Sequence, residues 1–163
     1  MKRIFYLFFS ALVFLFDQST KHLLMNNLKL GEERPLLPFF TLVHWQNRGG
    51  LWGFLGGASE KVTFAIFMIL PVLGVGFLFY LFFTVSGKFD LFLLSAMLGG
   101  AFGNILDRLL NGAVTDFLYF HVPGNGPGWP AFNVADAFLS TSLTIFLLTL
   151  LFVKEKKNAP AAV

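Results

Sequence analysis

The sequence predicts an all-α membrane protein, a bundle of four transmembrane helices with a small β-rich extracytoplasmic element between the first and second. Composition is the first ground: 56% of the 163 residues are hydrophobic, 13% are charged, and mean hydropathy is +0.71, far greasier than a soluble domain. The second is spacing. Four apolar stretches, about 4–24, 62–85, 91–110 and 134–153, each approach the ~20 residues that cross ~30 Å of hydrocarbon at 1.5 Å per residue. The third is phenylalanine, 23 copies of a bulky side chain without polar atoms, as lipid-facing surfaces require.

The first stretch begins like a signal peptide, with Lys2 and Arg3 before an apolar core from Ile4 to Phe16. Asp17-Gln18-Ser19-Thr20-Lys21 follows in place of a small-x-small cleavage site, so the segment is expected to stay as an anchor. The connection at about 27–61 carries Pro35, Pro38 and the aromatic, β-branched run Phe39–Trp45. That run predicts a short strand pair on the membrane surface, with Trp45 and Trp52 as interfacial anchors. Pro71, Gly74 and Gly76 interrupt the second span, as membrane helices tolerate. The third span contains small residues at Gly99, Gly100, Ala101 and Gly103, which permit close helix approach. The connection at 111–133 includes the turn-rich run Pro123–Pro130. Asn133 is a natural N-cap for the fourth span, and residues 154–163 read as a frayed cytoplasmic tail. Residues 1–163 form one domain.

Lys2, Arg3, Lys88, Lys154, Lys156 and Lys157 fall on one side of this topology, which is therefore cytoplasmic. Both termini lie inside, and the two longer connections lie outside. The chain has no cysteine, which excludes thiolate metal sites and a cysteine nucleophile. The net charge of +3 is too small and scattered for nucleic-acid binding. His22, His44 and His121 lack ligand spacing, so no metal or other cofactor is expected. No G-x-S-x-G occurs, and Ser19 with Lys21 is the nearest approach to a Ser-Lys pair.

Four of the five aspartates reach one membrane face: Asp17, Asp107, Asp116 and Asp136. Carboxylates at the edge of lipid are costly, hence rare unless paired or functional. Asp17 and Lys21, four apart, suit an intrahelical ion pair in which each keeps the other buried; a substrate-facing role is the alternative. Asn104, Asp107 and Arg108 share a helix face as a packing network or as a site where Arg108 binds a carbonyl or anionic group. Asp136 stands three residues after Asn133, where a capping acid would be. Capping does not explain Asp116, which enters the membrane region with apolar Val114 and Phe117 nearby. Two carboxylates that approach across a loop are the minimum equipment of aspartic peptidase chemistry. Like charges raise one pKa, so the pair holds a proton near neutrality.

At these residues the chain resembles bacterial lipoprotein signal peptidase (signal peptidase II), an aspartic endopeptidase family of the inner membrane. The matching segments are Phe16-Asp17-Gln18-x-Thr20-Lys21, Asn47-x-Gly49, Gly99-Gly100-Ala101-x-Gly103-Asn104-x-x-Asp107-Arg108, Val114-x-Asp116-Phe117 and Phe132-Asn133-x-Ala135-Asp136. Each alone is weak, but five in order are specific. The resemblance implies Asp116 and Asp136 as catalytic dyad, with Asn47, Asn104, Arg108 and Asn133 shaping the site and holding substrate. Asp17, Lys21 and Asp107 would support the architecture. It further implies diacylglyceryl-modified prolipoprotein substrates cut just before the lipidated cysteine, contact with membrane lipid, a monomer, and inhibition by cyclic peptides such as globomycin. The active site would lie near the outer face.

One segment departs from the family pattern. Gly50 and Leu51 stand where Ala-Ala is usual, which alters bulk and flexibility near the substrate path. The rival readings are a small non-enzymatic carrier, which needs acids spread through the membrane depth, and an inactive binding homologue, which the intact pair of acids argues against.

Overall fold

The computed structural model describes residues 3–49, 59–124 and 126–158. Four helices and three strands follow in the order α1 (Ile4–Asn27), β1 (Glu33–Leu37), β2 (Phe40–Asn47), α2 (Glu60–Thr84), α3 (Lys88–Asn111), β3 (Val114–Phe120) and α4 (Val134–Asn158). Among the described residues, three helices are long and apolar enough to span a membrane: α2 from Phe64, α3, and α4 to Phe152. The other, α1, has comparable length, but its second half carries Asp17 and Lys21, and these two charged residues are buried against protein rather than offered to lipid.

Around α3 the bundle is organised. Most of α3 is buried, whereas α2 and α4 are largely exposed, their outward faces covered by residues such as Phe77, Phe83, Leu147 and Leu151. Such a surface is stable only in an apolar solvent. Glycines explain the central position. A Cβ on Gly99 would stand 2.4 Å from the Ser10 carbonyl oxygen of α1, and one on Gly100 would stand 2.6 Å from the Ala135 carbonyl oxygen of α4. Both neighbours therefore reach the α3 backbone only because side chains are missing there. Leu94, Met97 and Leu98 of α3 then pack with Tyr6 of α1, Val75 and Phe82 of α2, and Phe146 of α4. Arg3 donates to the carbonyls of Phe82 and Val85, closing the end of α2 and tying it to the start of α1.

At the opposite end sits an antiparallel sheet in the order β1-β2-β3. The expected strand pair is β1 and β2, with Glu33 opposite Val43 and Leu37 opposite Phe40. A third strand was not legible in the sequence. The segment expected to be loop up to 133 contributes β3, paired so that Trp45 faces Asp116 and Asn47 faces Val114. Its run Val114-Thr115-Asp116-Phe117 has little alternation because all four are buried, so the period-2 signal is absent. Trp45 packs on Tyr119, with ring centroids 5.0 Å apart. Trp52, the Gly50-Leu51 departure and the tail beyond 158 lie outside the described residues. Up to Asn158 the expected frayed tail continues α4 as helix.

Candidate active site

The site forms where the ends of α1 and α3, the start of α4 and the buried part of β3 converge. Asn133 is its pivot. As N-cap of α4 its side-chain oxygen accepts from the Asp136 N–H at 2.9 Å, and the Asp136 carboxylate accepts in return from the Asn133 N–H at 3.3 Å. This is a capping box with aspartate in the third position. The amide nitrogen of Asn133 is thereby aimed away from the helix, and it donates to Asp116 at 2.8 Å and to the Thr115 carbonyl at 3.2 Å. One fully buried asparagine thus holds both carboxylates.

Each carboxylate has a second amide. Asn47 of β2 donates to Asp116 at 3.1 Å, and Asn104 of α3 donates to Asp136 at 2.7 Å. Burial and the charge of Asp136 push Asp116 up to about 7, against the amide bonds from Asn47 and Asn133 and the charge of Lys21. A carboxyl group with that affinity retains a proton near neutral pH, the state that acid–base work by a pair requires.

Beneath the pair lies a buried ion cluster. The Lys21 ammonium is 2.8 Å from Asp17 and 3.0 Å from Asp107, and it donates to Asn104 at 3.0 Å. The expected intrahelical pair is therefore one edge of a three-helix network. Asp17 also accepts from the Ala135 N–H at 2.9 Å, and Asp107 from the Thr115 N–H at 2.9 Å. Gln18 bridges Asp17 and the Gly103 carbonyl at 3.0 and 3.2 Å. Gln18 and the two backbone N–H groups were not singled out in the sequence. Gln18 stands inside the segment that carries Asp17, but no pattern announces a backbone donor.

Arg108 faces a different space. A cavity of about 990 Å³ runs between α2 and α4, with α3 as its floor. Asn104, Arg108, Asp136 and Trp129 line it at the sheet end, and apolar residues such as Leu78, Met97, Leu143 and Leu147 line the rest. Arg108 bonds through its guanidinium to the Asn104 carbonyl at 3.2 Å. Its Nε is the one buried side-chain polar atom without a partner among the described residues, a donor left open beside Asp136. All nine sequence-selected residues thus converge on this end of the bundle: Asn47, Asn104, Asn133, Asp116 and Asp136 in direct contact, Asp17, Lys21 and Asp107 below them, and Arg108 at the cavity edge.

Helices with an apolar exterior and two carboxylates, Asp116 buried and Asp136 half-buried, joined by a shared asparagine at the mouth of an apolar groove, are the arrangement that a membrane aspartic endopeptidase needs. The comparisons with known proteins agree. A family described as signal peptidase (SPase) II matches residues 9–152. A lipoprotein signal peptidase of Ralstonia nicotianae is 40% identical over 135 residues, 82% of this chain and 76% of that protein. One from Thermodesulfovibrio yellowstonii is 37% identical over 139 residues, 83% and 87% of the two chains. A bacterial membrane enzyme determined by the in meso method at 2.3 Å superposes with a TM-score of 0.74 at 28% identity, covering 99% of this chain and 93% of its own. The chain belongs to the signal peptidase II family, aspartic endopeptidases that remove the signal peptides of prolipoproteins.

Proposed function

We propose that Asp116 and Asp136 are the catalytic pair, and that the substrate is a diacylglyceryl-modified prolipoprotein cut immediately before its lipidated cysteine. The observation that carries this reading is the shared Asn133, which holds both carboxylates at the end of an apolar groove. The pair holds one proton. Its ionised member takes a proton from water as the water oxygen attacks the scissile carbonyl carbon. Its protonated member donates to the carbonyl oxygen, and as the tetrahedral intermediate collapses the C–N bond breaks and a proton passes to the leaving amine. Asn47, Asn104 and Asn133 fix the carboxylates, and the free Nε–H of Arg108 is available to a substrate carbonyl.

The groove supports the substrate class. Its long apolar section suits the hydrophobic core of a signal peptide, and its polar end suits a scissile bond. Few directional side-chain contacts are offered to the peptide, so two acyl chains retained in the bilayer would fix the bond at the depth of the pair, which raises effective concentration and orients it. The basic residues near one set of helix ends favour cytoplasmic termini, which sets the site at the outer face. A cyclic peptide of the globomycin type would compete for the same polar end.

Asp116→Asn and Asp136→Asn should each abolish cleavage of lipid-modified precursor in a gel-shift assay, in protein that remains folded and inserted. Retained turnover in either would sink the aspartic mechanism. The unmodified precursor should be cut poorly or not at all; equal rates for the two forms would overturn lipid-dependent recognition.

A further inference from the structure

Two backbone bonds beneath the site have matching positions. Asp17 accepts the N–H of Ala135, the residue before Asp136, and Asp107 accepts the N–H of Thr115, the residue before Asp116. Both carboxylates meet on one cation, Lys21, at 2.8 and 3.0 Å. The cation also donates to Asn104, whose amide holds Asp136. Asp17, Lys21 and Asp107 are fully or almost fully buried. A network that served helix packing alone would need only to neutralise its own charges. This one ends on the main chain of two separate elements, β3 and α4, each time one residue before a carboxylate.

We propose that Lys21 is a positioning residue for peptide hydrolysis, the common tie through which Asp17 and Asp107 set the main chain beneath Asp136 and Asp116 and so fix the separation of the two. The inference rests on the reading of those two acids as the reacting pair. The physical reason for a charged tie is stiffness. Each carboxylate receives at least two donors, and a charge-assisted bond in a buried setting resists displacement more than a neutral one. The side chain of Asp17 is confined as well, because a Cβ on Gly103 would lie 2.4 Å from its carboxylate oxygen. Gly103 thus leaves the room in which the tie is made.

The test compares Lys21→Met, which keeps length and removes the charge, with Gly103→Ala, which keeps every charge and displaces Asp17. Asp116→Asn serves as the dead reference. Turnover of lipid-modified prolipoprotein is measured per folded molecule, with folding read by thermal melting and monodispersity. Loss of positioning lowers kcat by about 100-fold in Lys21→Met, the scale of a displacement of roughly 1 Å, and by about tenfold or more in Gly103→Ala. KM stays within about threefold in both, because the apolar section of the groove that binds the peptide is untouched. The double variant is no worse than Lys21→Met alone, since both release the same tie.

Folded Lys21→Met with kcat within about threefold of the parent overturns the proposal, as does a raised KM with kcat unchanged. Should Lys21→Met not fold, Gly103→Ala decides by the same measure. Failure of both to fold assigns the network to architecture and overturns positioning. Activity in Asp116→Asn would instead remove the reading of the pair itself, a result separable from either of the others.

Discussion

On its two sides α3 meets its neighbours by opposite rules. Towards α1 and the start of α4 the contact is backbone-close and polar: glycines at 99, 100 and 103 admit the neighbours, and the buried charges inside are bonded to one another and to the main chain. Towards the space between α2 and α4 the surface is mostly apolar and lines a cavity of about 990 Å³, with one open donor on Arg108. The comparison teaches how one small bundle separates two demands. Atoms that do chemistry must be held to a fraction of an ångström, which needs directional bonds in a dry interior. A surface that is to take an apolar peptide segment, as proposed for this groove, need recognise only apolarity and length, which its apolar section provides.

The largest expected effect comes from disturbing the tight side without touching any functional group. Gly100→Ala places a Cβ where the Ala135 carbonyl oxygen stands and pushes the first turn of α4, which carries Asp136, away from α3. It should cost about 1–3 kcal/mol of stability by overpacking and roughly 100-fold in turnover by displacement of the pair. Thermal melting in detergent and initial rates check both. Unchanged turnover would show that the close approach is not what sets the pair.

A smaller effect is expected on the open side. Ser140 is exposed and lines the groove one turn along α4 from Asp136. Ser140→Phe should narrow the path, raising KM about tenfold with kcat and melting temperature nearly unchanged, as loss of uniform binding does. Rates across a substrate titration separate this from a fall in kcat, which would tie the groove to the rigid site.

The smallest effect sharpens the boundary between the two. Among the described residues, Asn47 is bonded to the pair through its amide, which donates to Asp116. That bond favours the ionised carboxylate, so Asn47→Ala should strengthen proton retention and raise the pKa of Asp116 above about 7. In the parent enzyme activity should fall as pH rises through about 7, because the pair loses its proton. In the variant that limb should move to higher pH, with kcat at the optimum lowered only severalfold. A pH–rate profile of kcat decides the point; a limb that moves to lower pH, or does not move, contradicts the assignment of Asp116 as proton carrier.

The sequence by itself determined the bundle, its four helices, the close-packing glycines and the set of polar residues at one end. Those features depend on local chemistry: apolar run length against bilayer thickness, and the cost of a carboxylate in lipid. Even the capping box of α4 was legible, because Asn133 and Asp136 are three residues apart on one element. Tertiary structure alone decided the rest. That β3 joins β2 as a third strand depends on a pairing partner some 70 residues away, and a strand with four consecutive buried residues shows no alternation to betray it. That Lys21 serves Asp107 and Asn104 as well as Asp17 depends on α1 lying against α3. That two main-chain N–H groups end the network could not be read at all, because every residue but proline carries such a donor, and only the fold decides where each one points.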